Sequence, residues 1–221
     1  MVNVLIYRNL GRCWALVLIL LYLGSHAAFS QALARPAGPD SVVYFLTPES
    51  VLEVHAGKTG LLAGFGHEHR VRAHAFSGTV VYFPGSLSRS RVSVTVLTDS
   101  LRVVPEADSA DIPEITRTMR EKTLRVDSFP EIRFVSREVA RGEGGLRVAG
   151  DLTMVGKTRP VTLDLTLTAT ADTLRAEGGF AAKQTDFGIK PFSKALGMVK
   201  VKDEVRFELR VVAAAGGLAG R

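Results

Sequence analysis

Thiols, tryptophan and early acidic residues are what this chain of 221 residues lacks. Cys13 is its one cysteine and Trp14 its one tryptophan, so nothing downstream of them can form a disulfide framework, a Cys-rich metal cluster or a catalytic thiol. Tyrosine is scarce, with four residues, which leaves little material for the aromatic girdles of a barrel set in a bilayer. Also missing are Gly-x-Ser-x-Gly, a phosphate-cradling glycine loop and a His-Glu-x-x-His helix, the common signals of hydrolases, nucleotide-binding enzymes and zinc peptidases. Glu68 and Asp186 are two acids that nothing in the sequence brings together. The expectation is a protein that is not an enzyme.

No acid precedes Asp40, whereas Arg8 and Arg12 stand before the apolar run from Cys13 to Leu23 and the small residues after it. That order reads as a secretory signal peptide over residues 1–30, with cleavage after Ala27, Ser30 or Ala34. The run is shorter than the roughly 20 apolar residues of a transmembrane helix, and no cysteine follows it to carry a lipid anchor. Export to the periplasm, or secretion, is therefore expected. Residues 31–43, with Pro36, Gly38 and Pro39, read as a flexible lead-in. Removing residues 1–30 lowers the formal charge from +6 to +4, since two arginines leave with no acid. Arg133, Arg137, Arg147, Arg206 and Arg210 are scattered along apparent strands with no aromatic-basic stripe, so nucleic acid is not an expected partner.

What the chain does have is period two. From Val161 to Ala169 every odd position is apolar and every even one polar, and Val205, Phe207, Leu209 and Val211 alternate with Glu204, Arg206, Glu208 and Arg210. Weaker alternation at 51–56, 70–83, 91–98, 131–138, 146–155 and 174–182, with turn residues between, brings the expected count to eight strands. One helix is predicted near 111–124, with Asp111 as cap, Pro113 in the first turn and Ile112, Ile115, Met119 and Leu124 at helical spacing. The fold class expected is all-β, an extended eight-stranded antiparallel barrel over residues 44–213 with that helix in a connection and a flexible tail at 214–221. Alternation does not say which face points inward, so an outer-membrane barrel with apolar residues facing lipid stands as an alternative.

Three segments carry a resemblance: Ser128-Phe129-Pro130-Glu131-Ile132-Arg133-Phe134, the stretch from Gly150 through Gly156-Lys157-Thr158 to Val161, and Thr185-Asp186-Phe187-Gly188-Ile189. In order and spacing they resemble the polyisoprenoid-binding, YceI-like family of lipocalin-like bacterial proteins, over about residues 44–212. The resemblance implies a periplasmic barrel that needs no cofactor and binds a polyprenyl chain, such as an isoprenoid quinone or polyprenyl phosphate. The alternating apolar sets would line it: Leu52 and Val54; Val92, Val94 and Val96; Ile132 and Phe134; Leu163, Leu165 and Leu167; Val205, Phe207 and Leu209. In the family an arginine commonly precedes the Thr/Ser-Asp-Phe-Gly-Ile segment; here Gln184 does, with Lys183 before it. Lys183 would then serve a head group as a flexible point charge without a guanidinium's fork. Whether the chain forms a homodimer stays open at this stage.

His67 and His69, at i and i+2, share a face if their segment is extended, with His74 nearby and His55 on the preceding strand. Three readings are open for this cluster. Imidazoles could hold zinc or copper, pair structurally with Glu68, Glu53 or backbone at the barrel mouth, or contact a ligand head group. His67, His69 and Lys183 are thus head-group candidates, and His67 and His69 metal candidates.

Overall fold

Each segment of period-two alternation becomes strand over most of its length. The computed structural model describes residues 40–59, 69–105, 112–194 and 199–216, all within one unit, Pro39–Arg221. In chain order, β1 (Val42–Leu46), β2 (Val51–Ala56), β3 (Lys58–Thr59), β4 (His69–Ala73), β5 (Phe76–Tyr82), β6 (Arg91–Leu97) and β7 (Leu101–Val103) precede the helix α1 (Ile112–Thr118). The helix continues as a wider π turn over Met119–Leu124. Then come β8 (Glu131–Gly142), β9 (Gly145–Met154), β10 (Lys157–Ala169), β11 (Thr173–Lys183), β12 (Ser193–Lys194), β13 (Val199–Val201) and β14 (Glu204–Ala215). Asp111, the expected cap, lies outside the described residues.

The ring runs β1-β5-β6-β8-β9-β10-β11-β14 and closes on β1, with every pairing among the described strands antiparallel. This is the expected eight-stranded antiparallel barrel, with one short helix among the described residues. Two of its courses are bent. β1 and β2 pair with opposite halves of β14, Tyr44 opposite Ala215 and His55 opposite Arg206. Between them Pro48 has no N–H to give, and Ser50 takes over the ladder. Its hydroxyl donates to the Val212 carbonyl at 2.9 Å and accepts from the Val212 N–H at 3.0 Å. The stretch predicted as one strand from Arg70 to Phe83 is likewise two, β4 and β5, broken at His74-Ala75. There the Ala75 carbonyl accepts from the Leu97 N–H at 3.0 Å and the Ser100 hydroxyl at 3.2 Å. Beyond the bends the sheet continues from β14 through β2 and β4 to β7, and α1 packs beside β7.

Two boundaries move. Val42 and Val43, expected in the lead-in, pair with Tyr82 and Val81, and Ala214 and Ala215, expected in the tail, pair with β1. Ring closure requires both. The β9–β10 connection is a two-residue hairpin, Val155-Gly156, with φ of 49° and 73° between the paired Met154 and Lys157. Left-handed backbone at both positions matches the twist of the flanking strands. A β-branched residue there costs about 1–2 kcal/mol, which Val155 offsets by packing into the core at 5% exposure.

Tyr44, Val80, Leu174, Ala176 and Ala213 fill one end of the barrel, and the Tyr44 hydroxyl donates to the Thr170 carbonyl at 2.5 Å. Leu87 packs with the neighbouring Val139, Val148 and Leu163. The polar half of the alternation faces out: Arg133, Arg147, Asp164, Thr166, Glu177, Arg206 and Glu208 are exposed. Arg137 bonds Asp151 across β8 and β9, which holds that carboxyl below its ordinary range. An exterior this charged corrects the outer-membrane alternative, which needs an apolar band toward lipid.

Candidate functional site

Because the plug occupies one end only, the inward apolar set elsewhere surrounds a void. The cavity measures about 710 Å³, within the usual span of about 300–1,000 Å³ for ligand pockets. Every residue expected to face inward lines it except Leu167. Leu167 has the right strand parity but sits too far along β10, packed against the plug around Tyr44. Phe180 and Phe207, directly paired on β11 and β14, stack at 4.5 Å between centroids with 2° between planes. On β9, Gly150 leaves room for the Phe134 ring; a Cβ there would lie 2.6 Å from its tip.

Sequence reasoning missed much of the lining that long alternation does not mark. Ile115 and Met119 cover the cavity from the helix, Leu101 and Val103 from β7, and Ile189 and Phe192 from the segment after β11. The helical spacing of Ile115 and Met119 carried that signal. Phe192 lines the cavity while 42% exposed, so the void meets the surface beside it.

Polar lining residues are few: Glu53, Lys58, His69, Glu114, Thr118, Thr123, Gln184 and Lys200. Glu53 is committed to Arg72, whose Nη2 stands 2.6 Å from its carboxylate. Gln184 occupies the position where the family pattern has arginine, and its side-chain amide donates to the Lys202 carbonyl at 2.8 Å. Asp203 secures the turn Gln184–Phe187, accepting from the Thr185 N–H at 2.9 Å and its hydroxyl at 2.7 Å. Those bonds hold the Asp203 carboxyl below its ordinary range, the hydroxyl contributing most.

Lys183 does not line the cavity, which corrects its place among the head-group candidates. Phe180 and Ala182 face inward on β11, so their neighbour faces out. The described histidines do not converge. His69 lines the cavity, His55 lies on the opposite face of the β2–β4 pair with Nε2 3.3 Å from Glu208, and His74 is exposed at the bend. His67 lies outside the described residues. Among the described residues no three His, Cys, Asp or Glu side chains cluster closely enough to hold a metal ion.

A closed antiparallel barrel, plugged at one end and hollow and apolar toward the other, defines a lipocalin-like binding barrel. The YceI-like domain model matches residues 49–213, and the chain belongs to the YceI-like family. It is 40% identical over 73 residues to the UPF0312 protein YE1254 of Yersinia enterocolitica, a match over 32% of this chain and 38% of that one. With Protein YceI of Salmonella arizonae it shares 29% identity over 128 residues, 58% of either chain. The chain thus spans less than two thirds of the length of these relatives. Among solved structures it is similar to BcnA of Burkholderia cenocepacia, with TM-score 0.59 and 19% identity over 76% of this chain and 98% of that one. It is also similar to a polyisoprenoid binding domain from Saccharophagus degradans implicated in plant cell wall breakdown, with TM-score 0.53 and 12% identity over 79% and 98% of the two chains. At these identities the likeness is one of fold.

Proposed function

We propose that this is an exported binding protein of the periplasm that holds a long isoprenoid lipid, of quinone or polyprenyl phosphate type, inside its barrel and catalyses no reaction on it. The observation that carries the reading is the 710 Å³ cavity, apolar along most of its lining and polar where few side chains interrupt it. At a liquid share of about 30 Å³ per water-sized group, that volume takes roughly 24 heavy atoms, or four to five isoprene units. Burial at about 0.8 kcal/mol per methylene supplies the gross affinity before ordering costs, and no reactive group is needed. Family membership and the fold shared with the Saccharophagus polyisoprenoid binding domain support the ligand class. The leader sequence supports export.

Native mass spectrometry of the protein purified from its own host tests this reading. The expected result is a mature chain lacking its first 27 to 34 residues, with a prenyl lipid that organic solvent extracts. Repeated recovery of an empty barrel from lipid-replete cells would refute the carrier, and a retained leader would refute export. The same spectra would reveal any stoichiometric zinc or copper.

A further inference from the structure

The cavity ends at one level of the barrel wall. Leu165, Gly178 and Leu209 are register partners across β10, β11 and β14, and Leu167, Ala176 and Val211 form the next such row toward the plug. On the first row both leucines line the cavity, and Gly178 has no side chain to fill it. On the second, Leu167 and Ala176 lie in the plug, while Val211 packs against it and still lines the cavity. One row further, Leu174 is 2% exposed and its partner Ala213 0%, so the wall is filled. On the far side of the ring Val92 of β6 behaves as Val211 does, and its partner Val80 is buried in the plug. Tyr44, paired with Val80, has its hydroxyl bonded to the Thr170 carbonyl at 2.5 Å. The floor of the cavity is therefore apolar and packed.

We propose that this floor sets the length of the ligand: the barrel takes about four to five isoprene units, tail end first, and a longer polyprenyl chain leaves its excess outside. The assignment rests on the carrier reading and adds a length to it. Leu167, Val211 and Val92 are the residues that fix the floor. A hydrocarbon tail meets only apolar side chains there, whereas a head group would leave polar atoms unpaired, so the head stays toward the opening beside Phe192. Each isoprene unit above the floor is buried, and each one in excess stays hydrated and adds nothing to affinity.

The test mixes the processed protein with phosphatidylcholine vesicles holding equimolar linear prenols of about three to nine isoprene units, removes the vesicles by flotation, and identifies the captured prenols by extraction and mass spectrometry. In a bilayer every unit already lies in hydrocarbon, so a unit that enters the barrel is exchanged at little cost and one left in water bears the full transfer penalty. The expected distribution peaks at about four to five units, with the longest prenol roughly hundredfold or more below the peak. Leu167→Ala together with Val211→Ala removes about five carbons from the floor, the content of one isoprene unit, and should move the peak up by about one unit. Val92→Phe adds about four carbons and should move it down by about one; its ring grows into free space, so it keeps the test decisive if the alanine pair fails to fold. Capture of all lengths alike, or a peak at the longest prenols, would overturn the floor and leave the carrier standing. Capture of none would overturn both. A peak that does not move in Val92→Phe would overturn the assignment of the floor to these residues.

Discussion

Val94→Trp separates a working cavity from a loosely packed core. Val94 lies mid-way along β6, between Gly78 on β5 and Phe134 on β8, half-buried and facing the void. In a filled core the larger ring would force neighbours off their rotamers at about 1–3 kcal/mol. In a cavity of about 710 Å³ it enters without that cost. It then takes the room of about six ligand carbons, worth roughly 5 kcal/mol gross at about 0.8 kcal/mol each and about 2–3 kcal/mol after ordering costs, or a 30- to 150-fold weaker Kd. Thermal or denaturant unfolding gives the stability arm and dialysis of a C20 prenyl lipid the binding arm. With Trp14 expected to leave in the signal peptide, the introduced indole would be the lone fluorophore of its kind, and blue-shifted emission would report its apolar surroundings. A variant destabilised by 1–3 kcal/mol that binds lipid as before would refute the reasoning.

Three further substitutions probe how the barrel is held. Tyr44→Phe removes the bond to the Thr170 carbonyl in the plug and should cost about 1 kcal/mol in urea unfolding. Burial first, then Tyr82 and Asp172, raises the Tyr44 pKa above its ordinary value near 10. Its contribution is therefore complete below that value and lost as pH rises through the folded pKa, an alkaline loss the phenylalanine variant should lack; equal alkaline profiles would contradict this. Gly156→Ala places a Cβ 2.7 Å from the Phe129 ring at φ +73° and should destabilise by at least about 1–2 kcal/mol, so an unchanged melting temperature would count against the hairpin geometry. Asp203→Ala should cost about 1 kcal/mol at neutral pH, because the carboxylate organises the Gln184–Phe187 turn. The lowered carboxyl pKa means that its contribution is present above the unfolded value of about 3.9 and fades as pH falls through the folded one. Melts of the two proteins should converge in acid, and a gap that persists there would assign the effect elsewhere.

Strand identity was legible because a sheet with one wet face imposes period two directly on the residues, as from Val161 to Ala169. The closing contact was harder to see. It joins β1 to the last residues of β14, Tyr44 to Ala215, and neither segment is long or strongly alternating. Ala214 and Ala215 read as a tail because alanine marks neither face, although both pair with β1. The bends were hidden too. Where Ser50 and Ser100 bond to backbone at the bends, their hydroxyls stand in for ladder groups, whereas in sequence they look like ordinary turn punctuation.

For the site, strand parity tells which face a residue occupies but not its depth along the barrel. Leu167 shares parity with Leu163 and Leu165, yet two residues of strand, about 7 Å, carry it from the cavity into the plug. Lys183 shows the converse, since parity from Phe180 and Ala182 already points it outward; the family pattern drew attention to its position instead. The pairing of β3 with β13 was illegible for a third reason. β3 and β13 are strands of two and three residues, too short to show a period, and they meet only because the barrel has brought residues far apart in the chain to one rim. The apolar interior therefore follows from pattern, while the mouth of the cavity has to be read from the assembled structure.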